Sequence, residues 1–272
     1  MKKIYLTIAV FWVILFSLSA QTGEKIITIQ TNVGTMKGIL YDDVPNHVRV
    51  FTEKANRGDF NGTLFTRVIK DFMIQGGSAD SKNAPAGARI GYGDRSSEIM
   101  PEMRSHYFNK KGVIAAPRQN DDINPQKKSD MSQFFIVQGK VYRGGELDTL
   151  VRATNLPIRR KAMNEFYQPV KEELERLKTE EPEEYNKRVV EINYKVDSVI
   201  STTPGHLLFT DAQREAYTTI GGSHFLDGQY TIFGEIQEGL DIIDRIANQP
   251  KDSYDRPKQD IRIIKIVVSD ER

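Results

Sequence analysis

The sequence predicts a mainly β fold interrupted by a long helical segment, and two observations lead there. Short β-branched runs bounded by turn residues occupy 25–138 and return after 230. Between 146 and 203 they give way to a charged stretch whose apolar residues recur every three or four positions. A chain of 272 residues is long enough to bury a sizeable core around such a body.

The elements follow in order. Residues 25–29 form a β-branched run, Asn32-Val33-Gly34-Thr35 a turn, and 36–40 the returning strand, so a hairpin opens the body. Asp43 and Pro45 mark a helix start, because proline is tolerated in a first turn. Val48, Phe51, Thr52 and Ala55 share one face of that helix, and Gly58 ends it. Strands are expected at 63–69, 72–75, 113–115 and 133–138, separated by loops at 76–111 and 118–131.

A helical segment is expected over about 146–205. Pro157 and Pro182 mark the starts of two helices. Phe166, Val170, Leu174 and Leu177 form a stripe on the first; Tyr185, Val189, Ile192, Val196 and Val199 form one on the second. Such narrow stripes suit the seam of an antiparallel helical hairpin, with Pro169 placed to kink its first arm. Beyond a linker at 201–205, Thr210 and Gln213 make a capping box for a short helix ending near Gly221. A strand at 230–234, a helix at 238–247 and a strand at 260–268 complete the body.

Composition narrows the function. The 38 basic and 37 acidic residues nearly cancel, so no global charge draws the chain to nucleic acid or an anionic membrane. Residues 1–20 run from Lys2 and Lys3 through an uncharged apolar stretch to Ser19 and Ala20, the pattern of a secretory signal. Cleavage after Ala20 leaves a mature chain of 21–272, exported to a bacterial cell envelope and most simply to the periplasm; an uncleaved anchor is the alternative. No other segment is apolar enough to span a bilayer. With no cysteine there is no disulfide or thiol nucleophile. The four histidines, at 47, 106, 206 and 224, include no pair at helical metal-binding spacing, and no phosphate loop or nucleophile elbow occurs. Neither a metal nor a cofactor is expected.

Three segments remain distinctive. The first is Phe65-Thr66-Arg67-Val68-Ile69-Lys70-Asp71-Phe72-Met73-Ile74-Gln75-Gly76-Gly77, the second Ser132-Gln133-Phe134-Phe135-Ile136, and the third Phe225-Leu226-Asp227-Gly228-Gln229-Tyr230-Thr231-Ile232-Phe233-Gly234. Together, and in this order, they resemble the cyclophilin family of peptidyl-prolyl cis/trans isomerases. The resemblance spans roughly 25–145 and 215–268 and leaves the helical segment as an insertion. It implies a closed eight-stranded antiparallel barrel capped by helices, with the site on one outer face. Alternation along a strand agrees: Gln133 and Phe135 point one way, Phe134 and Ile136 the other. Arg67 must face outward, since an unpaired buried guanidinium is very costly.

By the same resemblance Arg67 is the catalytic arginine. Phe72, Met73, Phe135, Leu226 and Tyr230 wall a proline pocket, with Phe225 on its rim where a Trp is common. Gln75 and Gln133 hold the substrate backbone or orient the arginine. Pro117 and Arg118 stand at substrate-binding positions where Ala and Asn, which contact the peptide mainly through backbone, are usual, and Tyr230 stands where His is. Arg118 is therefore expected to add a charge near the groove. The partners implied are proline-containing polypeptides, and the reaction is X–Pro rotation during folding of exported proteins. Its barrier of roughly 18–20 kcal/mol comes from amide resonance and needs no covalent step. A fixed guanidinium can favour the twisted amide by donating to the nitrogen lone pair and the neighbouring carbonyl. Two other functions fit less of the sequence. One is a prolyl-peptide-binding chaperone or scaffold that uses the groove and the helical insertion; the other is a purely structural envelope protein.

Overall fold

The computed structural model describes residues 25–270, so the expected signal segment at 1–20 lies outside the described residues. In chain order the elements are β1 (Lys25–Thr31), β2 (Gly34–Leu40), α1 (Pro45–Arg57), β3 (Phe65–Ile69), β4 (Met73–Gly76), β5 (Glu98–Ile99), β6 (Val113–Ala115), β7 (Ser129–Asp130), β8 (Phe134–Val137), α2 (Glu146–Tyr167), α3 (Lys171–Glu180), α4 (Pro182–Thr202), α5 (Asp211–Thr219), β9 (Ile232–Glu238), α6 (Leu240–Ala247) and β10 (Ile263–Asp270).

Eight strands form one antiparallel sheet in the order β10-β1-β2-β9-β6-β8-β4-β3, and β5 pairs with β7 in a separate ribbon. The large sheet curls until its outer strands approach. Leu64 bridges to Arg262, the Phe65 N–H donates to Ile261 O at 2.9 Å, and the Ile263 N–H donates to Thr63 O at 2.8 Å. Beyond this short stitch β3 and β10 share no ladder, because the Val68 N–H turns to Asp255 O at 2.8 Å instead. The sheet is therefore a curled half-barrel rather than the closed barrel that the resemblance implies.

Inside the curl, the strands of the large sheet send residues from one face into one apolar core. Ile27, Ile29, Met36, Phe65, Val68, Ile74, Ile114, Phe134 and Ile136 all belong to it. Helix α1 adds Val48, Phe51 and Ala55; helix α6 adds Ile242, Ile243, Ile246 and Ala247. Phe51 meets Phe60, Phe134 and Phe233 at 5.0–5.7 Å between ring centres, contacts worth about 1 kcal/mol each beyond their burial.

Local corrections have local causes. Asp43 does not cap α1: its carboxylate accepts from the Tyr107 hydroxyl at 2.8 Å. Pro45 opens the helix, and Glu102 accepts the exposed N–H groups of Asn46 and His47 from across the fold. The last helix starts at Leu240 rather than 238, because β9 runs on to Glu238 and Gly239 turns the chain at φ 83°.

In the helical segment the first helix begins at Glu146, with Glu146 and Asp148 at its positive end, and Pro157 lies inside it. Pro169 falls in a 3-10 turn over Gln168–Val170 that separates α2 from α3. Helix α4 begins at Pro182 as expected and packs along α2 and α3. Ala162, Leu174, Ile192, Val196 and Ile200 form their seam, a cluster separate from the inner core. The capping box of Thr210 and Gln213 opens α5 as predicted. Among the described residues no helix is long and apolar enough to cross a membrane.

Candidate active site

Strand register assembles the site on the outer face of the curl. Arg67 on β3 is paired with Gln75 on β4, Gln75 with Phe135 on β8, and Phe135 with Ala115 on β6. Directly paired residues share a face, so one row runs from a cation through an amide to an aromatic floor. Their neighbours Ile74, Ile136 and Ile114 form the parallel row that points into the core. A second apolar cluster thickens the floor: Met73, Val113, Ala115, Phe135, Val137, Leu226 and Ile232, with Phe72 and Tyr230 packed against it.

Above this floor lies a cleft of about 170 Å³. Arg67, Phe72, Met73, Gln75, Pro117, Arg118, Gln133, Phe135, Leu226 and Tyr230 all line it. Of the residues expected in the site only Phe225 is absent from the lining; it stands on the rim, 57% exposed, with its ring 5.3 Å from that of Phe72. The Arg67 side chain is 44% exposed, as its charge requires, and its guanidinium lies 6.0 Å from the centre of the Phe72 ring.

Polar groups run along one side. Gln75 Nε2 donates to Gln133 Oε1 at 3.1 Å, and Gln133 Nε2 donates to Asp130 Oδ2 at 3.1 Å. On the other side Asp255 Oδ2 stands 3.7 Å from Arg67 Nε, while its second oxygen accepts from Lys251 Nζ at 2.6 Å. The site thus sets a cation and two side-chain amides beside the aromatic and aliphatic residues of the cleft.

Comparison with known proteins bears on the family and the fold. The family model for "Cyclophilin type peptidyl-prolyl cis-trans isomerase/CLD" matches residues 26–154 and 169–268. The chain belongs to the cyclophilin family. It is 28% identical over 248 residues to a Staphylococcus saprophyticus protein named as a peptidyl-prolyl cis-trans isomerase, covering 90% of this chain and 93% of that one. It is 27% identical over 256 residues to a Streptococcus pyogenes protein named as a bifunctional phosphatase/peptidyl-prolyl cis-trans isomerase, where it spans 93% of its own length but 40% of the relative's. Among solved structures, a Cryptosporidium parvum cyclophilin superposes with a TM-score of 0.51 at 16% identity, over 92% of this chain and 99% of that one, a likeness of fold. A second structure of that protein was obtained in the presence of the dipeptide Ala-Pro.

Within this cyclophilin site the unusual residues are accommodated. Arg118 does not extend a free charge into the groove. Its side chain is 6% exposed and held by Asp121, by Gln229 O at 2.8 Å and by Gln119 O at 2.9 Å. Pro117, with no N–H to offer, instead accepts the Asp130 N–H at 2.8 Å through its carbonyl.

Several site residues escaped sequence reasoning. Tyr92, Asp94, Arg95 and Glu98 form the far wall from a stretch without periodic pattern. Asp130 reaches the site from the end of the short strand β7 and Asp255 from a loop, and nothing in the local sequence distinguishes either from a solvated carboxylate. Asp227 lies in the third distinctive segment, where the sequence assigns it no role of its own. It accepts from Asn109 N at 2.8 Å and Nδ2 at 3.0 Å, from Gln213 Nε2 at 3.1 Å and from the Tyr217 hydroxyl at 2.6 Å, so it moors the segment that carries Phe225, Leu226 and Tyr230. Burial and the Asp227 charge push the Tyr217 hydroxyl well above its usual range, so it stays a donor.

Among the described residues no group of His, Asp and Glu is arranged to hold a metal ion.

Proposed function

We propose that the chain accelerates cis/trans rotation of X–Pro bonds in proteins folding in a bacterial cell envelope, with Arg67 acting on the twisted amide. One observation carries the reading: a half-exposed guanidinium sits in register with Gln75 and Phe135, at the mouth of a slot walled by Phe72, Met73, Leu226 and Tyr230. The proline ring enters the slot and is gripped there. As the amide twists, its nitrogen gains lone-pair density and its carbonyl loses conjugation. A guanidinium at the mouth can donate to both, and it keeps its charge at any working pH. Gln75 and Gln133 hold the peptide backbone so that only the X–Pro bond turns. Preference for the twisted form over both planar forms is what lowers the barrier.

The test is isomerisation of short Ala-Pro peptides by the chain and by Arg67→Ala. The variant is expected to be slower by roughly tenfold or more, about 1.4 kcal/mol of barrier. A folded variant turning over at the wild-type rate would overturn the reading. Export is tested separately, by the mass of the chain recovered from expressing cells. A mature start at Gln21 supports cleavage of the 1–20 segment, and an intact Met1 opposes it.

A second reading treats the helices as an insertion over about 146–205 that holds unfolded clients. Val190 and Tyr194, one turn apart on α4 and 67% and 77% exposed, favour it. Deleting 150–203 should then weaken suppression of client aggregation while isomerisation of short peptides persists. Unchanged suppression would remove this reading.

A further inference from the structure

We propose that Asp130 fixes the hydrogen-bond polarity of the Gln133–Gln75 pair and so decides which atom of Gln75 is turned to the Arg67 side of the site. The inference rests on the roles just given to Arg67 and Gln75 and adds a positioning residue behind them.

A glutamine amide can be turned either way, because its oxygen and nitrogen are nearly alike in shape. Two facing glutamines can therefore pair in two senses, N–H to oxygen or the reverse, with little to choose between them. A carboxylate has no such freedom, since it only accepts. Asp130 Oδ2 lies 3.1 Å from Gln133 Nε2, which forces the NH₂ of Gln133 toward Asp130. Gln133 Oε1 must then face Gln75, whose Nε2 donates to it at 3.1 Å. By elimination Gln75 Oε1 is left as the acceptor on the face it shares with Arg67.

Asp130 is itself well held. Its Oδ1 accepts from the Ser132 N–H at 2.9 Å and the Ser132 hydroxyl at 2.6 Å, leaving Oδ2 for Gln133. Its own N–H donates to Pro117 O at 2.8 Å. Gln133 is 4% exposed, so water does not compete freely for its amide. Gly93 covers the contact from the outside. It has φ 72°, and a Cβ there would stand 2.0 Å from Asp130 Oδ2 and 2.6 Å from Gln133 Nε2. No other residue type fits over this bond without displacing it.

The chain of donors predicts what an isosteric change does. In Asp130→Asn the Ser132 N–H retains the remaining oxygen, so the new NH₂ faces Gln133. Gln133 turns to accept it, Gln75 turns to accept from Gln133, and the NH₂ of Gln75 is then directed to the side of a guanidinium that also only donates. Adding Gln133→Glu restores the sense: the new carboxylate accepts from both neighbours, and Gln75 turns back.

The experiment compares wild type, Arg67→Ala, Asp130→Asn, Gln133→Glu and the Asp130→Asn/Gln133→Glu double variant. It records kcat and KM for a prolyl peptide together with the side-chain amide resonances of Gln75 and Gln133 in nitrogen-edited NMR spectra. Asp130→Asn is expected to lower kcat/KM roughly fivefold, mostly in kcat, and to shift both side-chain NH₂ pairs. The double variant is expected to be more active than Gln133→Glu alone, which a merely structural role for Asp130 does not produce. Unchanged glutamine resonances in Asp130→Asn, or a double variant no better than Gln133→Glu, would overturn the inference. If Arg67→Ala matches wild type, the isomerase reading fails on its own, and the amide spectra still decide the polarity.

Discussion

The Arg118 guanidinium stands 5.1 Å from the centre of the Tyr230 ring. Tyr230 in turn meets the floor residue Phe135 edge-on at 5.3 Å. The cation thus backs a wall of the cleft, and Asp121 balances its charge. Removing it should loosen the wall without touching the reacting bond. Arg118→Ala is expected to raise KM for prolyl peptides about fivefold, the worth of roughly 1 kcal/mol of cation–π contact, and to leave kcat within about twofold. Steady-state rates over a range of peptide concentration measure this. A fall in kcat larger than the rise in KM would mean that Arg118 meets the substrate directly.

Asp227 gathers four hydrogen bonds from Asn109, Gln213 and Tyr217, and Tyr217 is fully buried. Asp227→Ala would leave the buried donors of Asn109 and Tyr217 unpaired. We expect a stability loss of about 3 kcal/mol in urea unfolding, with a raised KM as Leu226 and Phe225 lose their mooring. Asp227→Asn, which keeps one acceptor, should lose less. Equal losses for the two would mean that packing rather than hydrogen bonding holds the segment.

His47 should make stability depend on pH. It is fully buried, with Nδ1 2.7 Å from Glu102 Oε2 and Nε2 2.9 Å from Ser129 Oγ. Burial holds the imidazole below its usual 6.5, against the pull of Glu102. The unfolded chain therefore takes up this proton at a higher pH than the folded chain does. Stability is full above 6.5 and declines as the pH falls from there through the folded value. His224, also lowered by burial, adds to the same decline. For Glu102 burial acts upward, but the bonds from His47 and Asn46 outweigh it, so its contribution is lost only below the usual 4.5. Urea unfolding at about pH 7.5 and about pH 5.5 should show a smaller decline for His47→Gln than for wild type. Equal declines would assign the slope to other groups.

How far the sequence could be read depends on the range of the forces involved. The strands and α1 were legible because periods of two and of three to four residues report local burial. Arg67, Phe72, Gln75, Gln133 and Phe135 were legible only through the resemblance of their segments to the cyclophilin family, since the pairing that sets Gln75 beside Phe135 joins strands far apart in the chain. Asp255 was not, since only the turn of Val68 away from β10 brings it beside Arg67. The β5–β7 ribbon is two residues long on each strand, too short to leave a pattern. The start of α2 was misplaced because Pro157 reads as a first-turn residue, whereas packing of Ala162 and its neighbours in the helical seam outweighs one lost backbone bond. The barrel seam fails to close for a similar reason: a loop competes for the donor that a ladder would use.

The helical segment and the site should be energetically separable. Leu174, Ile192, Val196 and Ile200 form a cluster that shares no residue with the core under the cleft. Its ties to the body include Asn155, which is buried and exchanges two 2.8 Å bonds with the backbone of Leu207. Leu174 is 1% exposed, and Leu174→Ala should cost the helices about 3 kcal/mol. Backbone amides of α2, α3 and α4 are then expected to exchange faster with deuterium, while those of β4, β6 and β8 keep their protection. Isomerisation of short prolyl peptides should stay at the wild-type rate. If turnover fell in step with loss of helical protection, the two units would be coupled, and the helices would have to be counted as part of the catalytic scaffold.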